Sequence, residues 1–429
     1  MKFDENNYSA LMEKIFSITP SVQNVGFAGG AYKPGLEGMR RFDALLGSPW
    51  KQYPTIHIAG TNGKGSVSSM LASALAAGGA KTGLYTSPHL LDFRERIKII
   101  GPDGWEMPSK EEVWEFFQKY DISRLSFFEM TTGLAFERFA AHKADAAVIE
   151  VGLGGRLDST NIISPELCII TSIGLDHCAL LGDTRAKIAR EKAGIFKKGV
   201  PAIVASEDEE TAEVFRQVAR DAGAPLIFAD SADSGIDESA VLERMDLRGP
   251  YQAMNLHTAL IALQILHNKG LAPSPKSAQT LEALQHTAVR TGLEGRWQKL
   301  RDKPETICDI AHNPPALKIN FGRLERLGRP LTVVYGIMAD KDLDGIAPLM
   351  PDGADYILVS PAIPRALPAE ELLGRLGKLR PELKLRNAES VASGIAKALR
   401  ETPENGIVYI GGSTFVVTEA LEYFKKAKK

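Results

Sequence analysis

The stretch Ile58-Ala59-Gly60-Thr61-Asn62-Gly63-Lys64-Gly65-Ser66 decides the fold. The apolar residues Thr55–Ala59 before it predict a short buried strand, and the small, Leu-rich residues Lys64–Ala77 after it predict a helix. A glycine loop with a lysine between a strand and a helix is the context of a phosphate cradle. Its spacing differs from the commonest form, G-x-x-x-x-G-K-[ST], because Gly65 separates the lysine from the serine.

Strand-like and helix-like segments alternate on both sides of this loop, which predicts an α/β protein with a largely parallel sheet. The pattern breaks into turn-like residues around 287–295, and a second alternating series follows. We therefore predict two domains, residues 1–295 and 296–429. The first would be a P-loop ATPase-type domain with a parallel sheet and the second a Rossmann-like α/β domain. The predicted strands are 55–59, 81–85, 146–151, 167–173, 200–205, 306–310, 331–336, 356–360 and 407–410; the predicted helices are 64–77, 111–120, 127–142 and 184–193.

Bulk composition narrows the class of protein. The chain has 429 residues, 44% of them hydrophobic and 24% charged, with a formal net charge of −2. This charge argues against a nucleic-acid or membrane surface, and we expect neither as a partner. The start lacks a signal peptide's apolar segment, and the three cysteines, Cys168, Cys178 and Cys308, suit a reducing cytoplasm rather than a zinc site.

Three polar side chains follow predicted strands: Ser87, Glu150 and His177. Ligand sites of such folds lie at the carboxyl ends of the strands. A hydroxyl, a carboxylate and an imidazole there could hold a divalent metal against phosphates bound by Lys64. Each residue also has a plainer interpretation: Ser-Pro is a common loop element, Arg156 could be a structural partner of Glu150, and an isolated histidine is more often structural.

The remaining polar motifs are less specific. Glu191 and Lys192 precede Gly194, and from the residues alone they are best interpreted as surface charges before a helix C-cap. In the second half, Asp309 closes a strand and could accept hydrogen bonds from a ribose, His312 could contact an acidic substrate, and Arg296 could reach a phosphate.

Taken in order, the motifs GTNGKGS, TSPHL, FRERI, SFFE, EVGLGGRLDSTN, ITSIGLDH, EKAGI, QAMN, EGRW, DIAHNP and MADKD resemble one family. It is the folylpolyglutamate synthase/dihydrofolate synthase family, a branch of the Mur-type ATP-dependent amide ligases. The resemblance runs from about Gly35 to Gly411. It implies that ATP phosphorylates a substrate carboxylate and that the amino group of L-glutamate attacks the acyl phosphate. The implied small-molecule substrates are ATP, L-glutamate, dihydropteroate and reduced folates.

The resemblance also implies site residues, matched position by position. The catalytic set is Lys64, Glu150, His177 and Lys192, the last as N6-carboxylysine, which reverses its interpretation as a surface charge. The ATP-binding set is Thr61, Asn62, Gly63, Lys64, Gly65, Ser66, Asn255, Arg296 and Asp309. The metal set is Ser87, Glu150 and His177, for Mg²⁺, two ions in all, with a monovalent cation besides. The pterin or folate set is Ser126, Phe127, Phe128, Glu129, Leu157, Asp158 and Ser159. His312 is assigned to the glutamate side.

One segment departs from the family pattern. Residues 31–34 read Ala-Tyr-Lys-Pro, where well-studied bifunctional members carry an acidic residue that helps to hold dihydropteroate. The chain is expected to ligate glutamate to folates and to 7,8-dihydropteroate, and a monofunctional folylpolyglutamate synthase that lacks the second reaction is the alternative. Other rivals are a cell-wall Mur ligase, for whose UDP-sugar domain the 59 residues before Gly60 are too few, and a nucleotide switch without ligation. A monomer is expected by family analogy.

Overall fold

The computed structural model describes residues 3–19, 21, 26, 33 and 35–427. The chain divides into two compact units. Unit 1 comprises residues 1–246 and 252–293, and unit 2 comprises residues 247–251 and 294–429. The short segment 247–251 belongs to unit 2, although it precedes the last helices of unit 1 in the chain. The predicted single boundary at residue 295 did not include this crossing of the chain. The assignment of distinct functions to the two domains stays a prediction.

Unit 1 is built on a mixed sheet of eight strands in the order β4-β3-β2-β5-β1-β6-β7-β8. The six strands from β2 to β8 in this order are parallel, and β3 and β4 add antiparallel strands at one edge. All residues of β1 and β5 are buried, so both faces of the sheet's centre are covered. The strands are β1 Thr55–Ala59, β2 Thr82–Tyr85, β3 Ile97–Gly101, β4 Gly104–Glu106, β5 Ala146–Glu150, β6 Leu167–Ile170, β7 Ala202–Val204 and β8 Leu226–Phe228.

The helices of unit 1 include one that is buried on almost every side. All residues 65–76 of the helix behind the glycine loop are buried, and its Gly, Ala and Ser residues allow close approach of its neighbours. The helices are α1 Glu5–Ile18, α2 Glu37–Leu46, α3 Lys64–Ala77, α4 Lys110–Lys119, α5 Phe127–Ala141, α6 Cys178–Leu181, α7 Arg185–Ala193, α8 Ala212–Ala222, α9 Glu238–Leu242, α10 Gln252–Asn268, α11 Ala278–Gln285 and α12 Thr287–Thr291. Short 3₁₀ helices lie at Pro49–Gln52, Phe93–Arg96, Ser159–Ile162 and Ala229–Ser231.

Unit 2 has a six-stranded sheet in the order β13-β12-β11-β14-β10-β9, parallel except for β9 at one edge. Its aromatic core includes Tyr335, Tyr356, Tyr409 and Phe321, all fully buried. The strands are β9 Gln298–Arg301, β10 Glu305–Asp309, β11 Leu331–Tyr335, β12 Asp355–Leu358, β13 Lys384–Asn387 and β14 Ile407–Gly411. The helices are α13 Pro314–Arg326, α14 Leu343–Ile346, α15 Ala369–Leu379, α16 Val391–Glu401 and α17 Thr414–Lys426, with a 3₁₀ helix at Ala347–Leu349.

The predicted α/β class with parallel-rich sheets is confirmed. The predicted bounds of β1 and α3 agree with the structure, while β6 ends at Ile170 rather than 173. Five strands at or near the sheet edges were not predicted from the sequence: β3, β4, β8, β9 and β13. Within the described residues, no helix is long and apolar enough to cross a membrane.

Candidate functional site

The predicted phosphate-loop and metal residues of unit 1 lie at the carboxyl ends of four neighbouring strands. In the sheet these strands are β2, β5, β1 and β6 in order, all parallel. The glycine loop follows β1, Ser87 follows β2, Glu150 ends β5, and the segment 171–177 follows β6. Because parallel strands end at the same edge of a sheet, the predicted phosphate and metal residues share one edge.

The loop between β1 and α3 depends on two glycines. Gly60 has φ +150° and Gly63 has φ +89°, both in the region that favours glycine. The neighbouring segment after β6 supports the loop: the Thr61 amide donates to the Ser172 carbonyl at 2.7 Å, and the Asn62 amide donates to the Ser172 hydroxyl at 3.0 Å. A Cβ on Gly60 would lie 2.0 Å from Thr171 Oγ1, so this packing requires glycine.

Lys64 begins α3 and turns its ammonium back over the loop. Its Nζ donates to the carbonyl of Gly60 at 3.0 Å and to that of Thr61 at 3.3 Å. The same nitrogen lies 4.0 Å from Glu150 Oε1. The ammonium therefore lies at the mouth of a loop that can receive an anion, beside a carboxylate from the next strand.

Glu150 is a buried carboxylate, with 3% of its side chain exposed. One oxygen accepts a hydrogen bond from the backbone amide of Ser87 at 3.1 Å, and the other faces Lys64. A carboxylate in this position is costly without such partners. Arg156, the alternative partner considered from the sequence, forms an ion pair with Glu191 at 2.9 Å.

His177 has a left-handed backbone, with φ +54°, and precedes α6. Its amide donates to Asp176 Oδ1 at 2.9 Å, and its Nε2 lies 3.8 Å from Asp176 Oδ2. Within the described ranges, no group of three or more His, Cys, Asp and Glu side chains is arranged to hold a metal ion. The predicted set contains only two such residues together with the Ser87 hydroxyl. Since Mg²⁺ is commonly held by one or two carboxylates with substrate phosphates and water, the buried Glu150 carboxylate fits a metal at this edge.

Lys192 is buried, with 5% exposed, and its Nζ donates to the carbonyl of Gly60 at 2.8 Å. Burial and the nearby Lys64 charge lower its pKa to about 7. The interpretation of Lys192 as a surface charge was wrong, because its side chain is buried, whereas its neighbour Arg190 is exposed and Glu191 is half-buried. The helix end thus places a second lysine against the first residue of the phosphate loop.

Asn255 lies on α10 within the same unit, 6% exposed, over the loop. A Cβ on Gly63 would lie 2.4 Å from its Oδ1, and its Nδ2 donates to Gln252 Oε1 at 2.9 Å. Gln252 in turn donates to the Ser66 hydroxyl at 3.3 Å. The sequence analysis assigned Asn255 and Ser66 to the nucleotide site, and the structure places both at the loop.

In unit 2, Asp309 ends β10 and is buried, which raises the pKa of its carboxyl group. It accepts hydrogen bonds from the Tyr251 hydroxyl at 2.6 Å and from the amides of Trp297 and Ala311 at 2.7 and 2.8 Å. Asp309 therefore fixes the segment around Arg296, whose guanidinium donates to the Glu294 carbonyl. His312 is half-buried, and its Nδ1 lies 2.9 Å from the Ile310 carbonyl.

The SFFE motif contains a helix cap. Ser126 and Glu129 form a capping box at the start of α5, with the Ser126 amide donating to Glu129 Oε2 at 2.7 Å. Phe127 is 3% exposed, and its ring lies 5.2 Å from the Arg96 guanidinium. Phe128 is half-buried, and a Cβ on Gly152 would lie 2.4 Å from its ring. Of the two aromatic rings assigned to a pterin, only that of Phe128 has substantial exposure.

Asp158 and Ser159 are buried, whereas Leu157 is half-buried. The Asp158 carboxylate caps the 3₁₀ helix 159–162, accepting from the Thr160 amide at 3.0 Å, and it accepts from the Leu153 amide at 2.9 Å. These bonds fix the glycine-rich turn after Glu150. The assignment of these residues to a pterin pocket stays a prediction.

Residues 31, 32 and 34 of the departing segment lie outside the described residues. Lys33 is described, and its Nζ donates to the carbonyl of Arg124 at 2.9 Å, two positions before the Ser126 cap.

Two supporting residues were not among the predicted site residues. Ser172 holds the phosphate loop through its carbonyl and hydroxyl, and Asn161 lies beneath the turn that follows Glu150. Both lie inside quoted motifs, ITSIGLDH and EVGLGGRLDSTN, but only the folded chain reveals which backbone groups they contact.

Comparison with known proteins matches this architecture. Residues 58–263 match the Mur ligase middle domain, and residues 295–414 match the Mur ligase glutamate ligase domain. The chain is 34% identical over 90% of its length to a dihydrofolate synthase/folylpolyglutamate synthase of Escherichia coli, 90% of which is covered. It is 32% identical over 85% of its length to a folylpolyglutamate synthase of Lacticaseibacillus casei, 89% of which is covered.

Solved structures are similar over almost the whole chain. The Escherichia coli enzyme in complex with DHPP and ADP has a TM-score of 0.83 and 29% identity, with 98% of each chain covered. A bifunctional folylpolyglutamate synthase/dihydrofolate synthase with Mn, AMPPNP and L-glutamate bound has a TM-score of 0.79 and 28% identity, covering 97% of this chain and 98% of the other.

Proposed function

The chain belongs to the folylpolyglutamate synthase/dihydrofolate synthase branch of the Mur ligase family and is an ATP-dependent ligase. From this premise we propose that it adds L-glutamate to reduced folates and to dihydropteroate through an acyl phosphate, releasing ADP and phosphate. The observation that carries the proposal is the arrangement at the phosphate loop. Lys64 and Lys192 both donate to the Gly60 carbonyl, and Glu150 lies 4.0 Å from the Lys64 ammonium.

The proposed chemistry has two displacements. A carboxylate oxygen of the acceptor attacks the γ-phosphorus of ATP, the bond to the β-phosphate oxygen breaks, and ADP leaves. The amino nitrogen of glutamate then attacks the acyl carbon. The tetrahedral intermediate expels phosphate, which carries away the carboxylate oxygen, and the nitrogen loses a proton to leave an amide.

Lys64 has the central role in the first displacement. Its side chain is 16% exposed and its ammonium donates to two backbone carbonyls, so the ammonium is positioned before ATP arrives. Backbone amides at the start of α3 supply further donors to phosphate oxygens. We propose Thr61, Asn62, Gly63, Gly65, Ser66, Asn255, Arg296 and Asp309 as the other nucleotide contacts.

Ser87, Glu150 and His177 are the residues that would hold a divalent cation, Mg²⁺ by preference. The relative with Mn and AMPPNP bound supports a divalent metal with the nucleotide. When bound, such an ion would neutralise charge on the transferring phosphate. A second ion and a monovalent cation remain parts of the proposal.

Lys192 is proposed to carry a carbamate. A carbamate forms when a neutral amine attacks CO₂ and loses a proton, and the lowered pKa of Lys192, about 7, leaves much of the amine neutral near neutral pH. The modification would turn a buried cation into an anion beside the phosphate loop, which the bound metal would balance.

We expect Lys192→Ala to lower kcat on the order of 10- to 100-fold, with partial recovery when acetate or formate is added. The recovery is expected because a short carboxylate can take the place of the carbamate in the cavity left by the side chain. The measurement is glutamate-dependent ADP release. Lys187→Ala is the control, since Lys187 lies on the same helix but is exposed and pairs with Asp183. Wild-type kcat in Lys192→Ala would exclude a role for this lysine.

Activity should also depend on pH through the same amine. Below about pH 7 the amine is protonated and cannot react with CO₂, whereas above it the amine is neutral. We expect enzyme stripped of CO₂ to recover several times faster at about pH 8 than at about pH 6 when both samples contain the same concentration of dissolved CO₂ and are then assayed at one pH. Equal recovery at the two values would contradict the carbamate.

The acceptor's pterin ring is proposed to lie against Phe128 and the turn at Gly152, with Leu157, Asp158 and Ser159 behind it. Phe127, Ser126 and Glu129 would support this wall through core packing and the helix cap. His312 remains the proposed contact on the glutamate side.

The range of acceptors is tested by ADP release with ATP, Mg²⁺ and L-glutamate. Dihydropteroate and tetrahydrofolate are compared as acceptors. Turnover with both would establish a bifunctional enzyme, and turnover with tetrahydrofolate alone would establish a folylpolyglutamate synthase, as the Lacticaseibacillus casei relative is named. We further propose a cytoplasmic monomer that binds neither nucleic acid nor membranes.

A further inference from the structure

A close junction joins the turn after Glu150 to the end of α7. This loop–helix junction consists of residues 154–156 and 191–194. A Cβ on Gly155 would lie 2.6 Å from the Lys192 carbonyl oxygen, and a Cβ on Gly194 would lie 2.3 Å from the Arg156 Cβ. The Arg156 amide donates to the Glu191 carbonyl at 2.8 Å. The two backbone segments are therefore in direct contact at the turn that carries Lys192.

Asn161 closes this junction from beneath. Its Nδ2 donates to the carbonyl of Arg156 at 3.1 Å and to the carbonyl of Gly194 at 3.0 Å. Its Oδ1 accepts from Lys197 Nζ at 2.8 Å. The side-chain amide thus donates one hydrogen bond to each side of the junction, and its oxygen accepts a third from Lys197.

The position of Asn161 is itself fixed. It is 6% exposed and lies in the 3₁₀ helix 159–162 that Asp158 caps. Its backbone amide donates to the Asp158 carbonyl at 2.9 Å. A buried amide with all its polar groups bonded has little freedom to adjust, so it holds its acceptors at set positions.

The junction lies between two groups of the proposed reaction. Glu150 ends the strand that leads into the turn, and Lys192 projects from the helix end to the Gly60 carbonyl at 2.8 Å. From these contacts we infer that Asn161 is a positioning residue, which sets the place of Lys192 against the phosphate loop by joining the Arg156 and Gly194 carbonyls. The inference rests on the proposed ligase function, since Lys192 matters only there.

Asparagine suits this role better than aspartate or alanine does. Aspartate has the same shape and keeps an oxygen for Lys197, but it would place a second oxygen near two carbonyl oxygens that now accept hydrogen bonds. Alanine would remove the hydrogen bonds that Asn161 donates to both carbonyls. Asn161→Asp therefore removes the two donated hydrogen bonds while retaining the volume of the side chain. Asn161→Ala removes the hydrogen bonds and the volume.

The test compares Asn161→Asp and Asn161→Ala with the wild-type enzyme in glutamate-dependent ADP release, below the melting temperature of every variant. We expect kcat to fall on the order of 10- to 100-fold, with KM for ATP and for the folate within about twofold. A second readout is labelling of Lys192 by an amine-reactive reagent, followed by mass spectrometry. Labelling should increase severalfold in the variants, because the lysine is no longer held in its buried position. If Asn161→Ala does not fold, Asn161→Asp and the labelling decide.

The control is Asn320→Ala in unit 2, which deletes a fully buried amide that donates to the Tyr409 hydroxyl at 3.2 Å. It should lower stability and leave kcat unchanged. A wild-type kcat in both Asn161 variants, or an equal loss in Asn320→Ala, would overturn the inference. Absence of glutamate-dependent turnover in the wild-type enzyme would instead refute the proposed function.

Discussion

Lys64→Ala is expected to reduce ATP-dependent ligation by at least about 100-fold, the loss that follows removal of one preorganised electrostatic contact to a transition state. The ammonium is held over the loop by the carbonyls of Gly60 and Thr61, so its position does not depend on the substrate. Without it, the transferring phosphate would lack its nearest protein cation. The measurement is kcat for ADP release with glutamate and tetrahydrofolate at saturating ATP.

The matched control is Lys81→Ala, an exposed lysine at the start of the β2 region that donates to the His142 carbonyl at 3.0 Å. It removes the same charge from the opposite end of the sheet and should leave kcat unchanged. Full activity in Lys64→Ala would show that the phosphates are bound somewhere other than the glycine loop.

Gly60→Ala is expected to lower activity to below about 1% of wild type, because the loop cannot keep its shape. The added Cβ would lie 2.0 Å from Thr171 Oγ1 and 3.1 Å from the backbone nitrogens of Thr171 and Ser172. The backbone cannot yield without moving the segment after β6, and the Gly60 carbonyl would move away from Lys64 and Lys192. The measurement is ATP binding together with kcat.

Gly79→Ala separates the effect of backbone strain from the effect of a steric clash with Thr171. Gly79 has φ +91°, and a Cβ there meets nothing within 4 Å. The substitution should destabilise the fold by about 1 kcal/mol through backbone strain, with full activity. If Gly60→Ala behaves like Gly79→Ala, close packing of the loop against Thr171 is not required for catalysis.

Much of the fold could be predicted from local pattern. The strand, glycine loop and helix around Lys64 were recognisable because residue type changes sharply at each boundary, and β1 and α3 have the predicted bounds. Edge strands such as β4 and β13 escaped prediction because they are short, partly exposed and carry no continuous apolar run. The joining of residues 247–251 to unit 2 depends on long-range packing, which a local pattern does not encode.

The candidate site was predictable where a residue's type was unusual for its place. Glu150 stood out because a charged residue ends the otherwise apolar strand β5. Nothing in the residues around Lys192 marked that lysine in the same way. Its motif looks like the charged end of a surface helix, and the burial of Lys192 against the Gly60 carbonyl depends on contacts between residues far apart in the chain. Phe127 and Phe128 are adjacent and alike in sequence, yet one is in the core and the other is half-buried.

Isotope transfer from the folate to the released phosphate tests whether ATP activates a folate carboxylate. Tetrahydrofolate carrying ¹⁸O at both oxygens of each carboxylate in its glutamate side chain is incubated with the enzyme, ATP, Mg²⁺ and L-glutamate, and the phosphate produced is analysed by mass spectrometry. An acyl phosphate predicts one ¹⁸O atom in each phosphate released with the amide product. Phosphate without ¹⁸O, formed alongside ADP, would contradict an acyl phosphate intermediate.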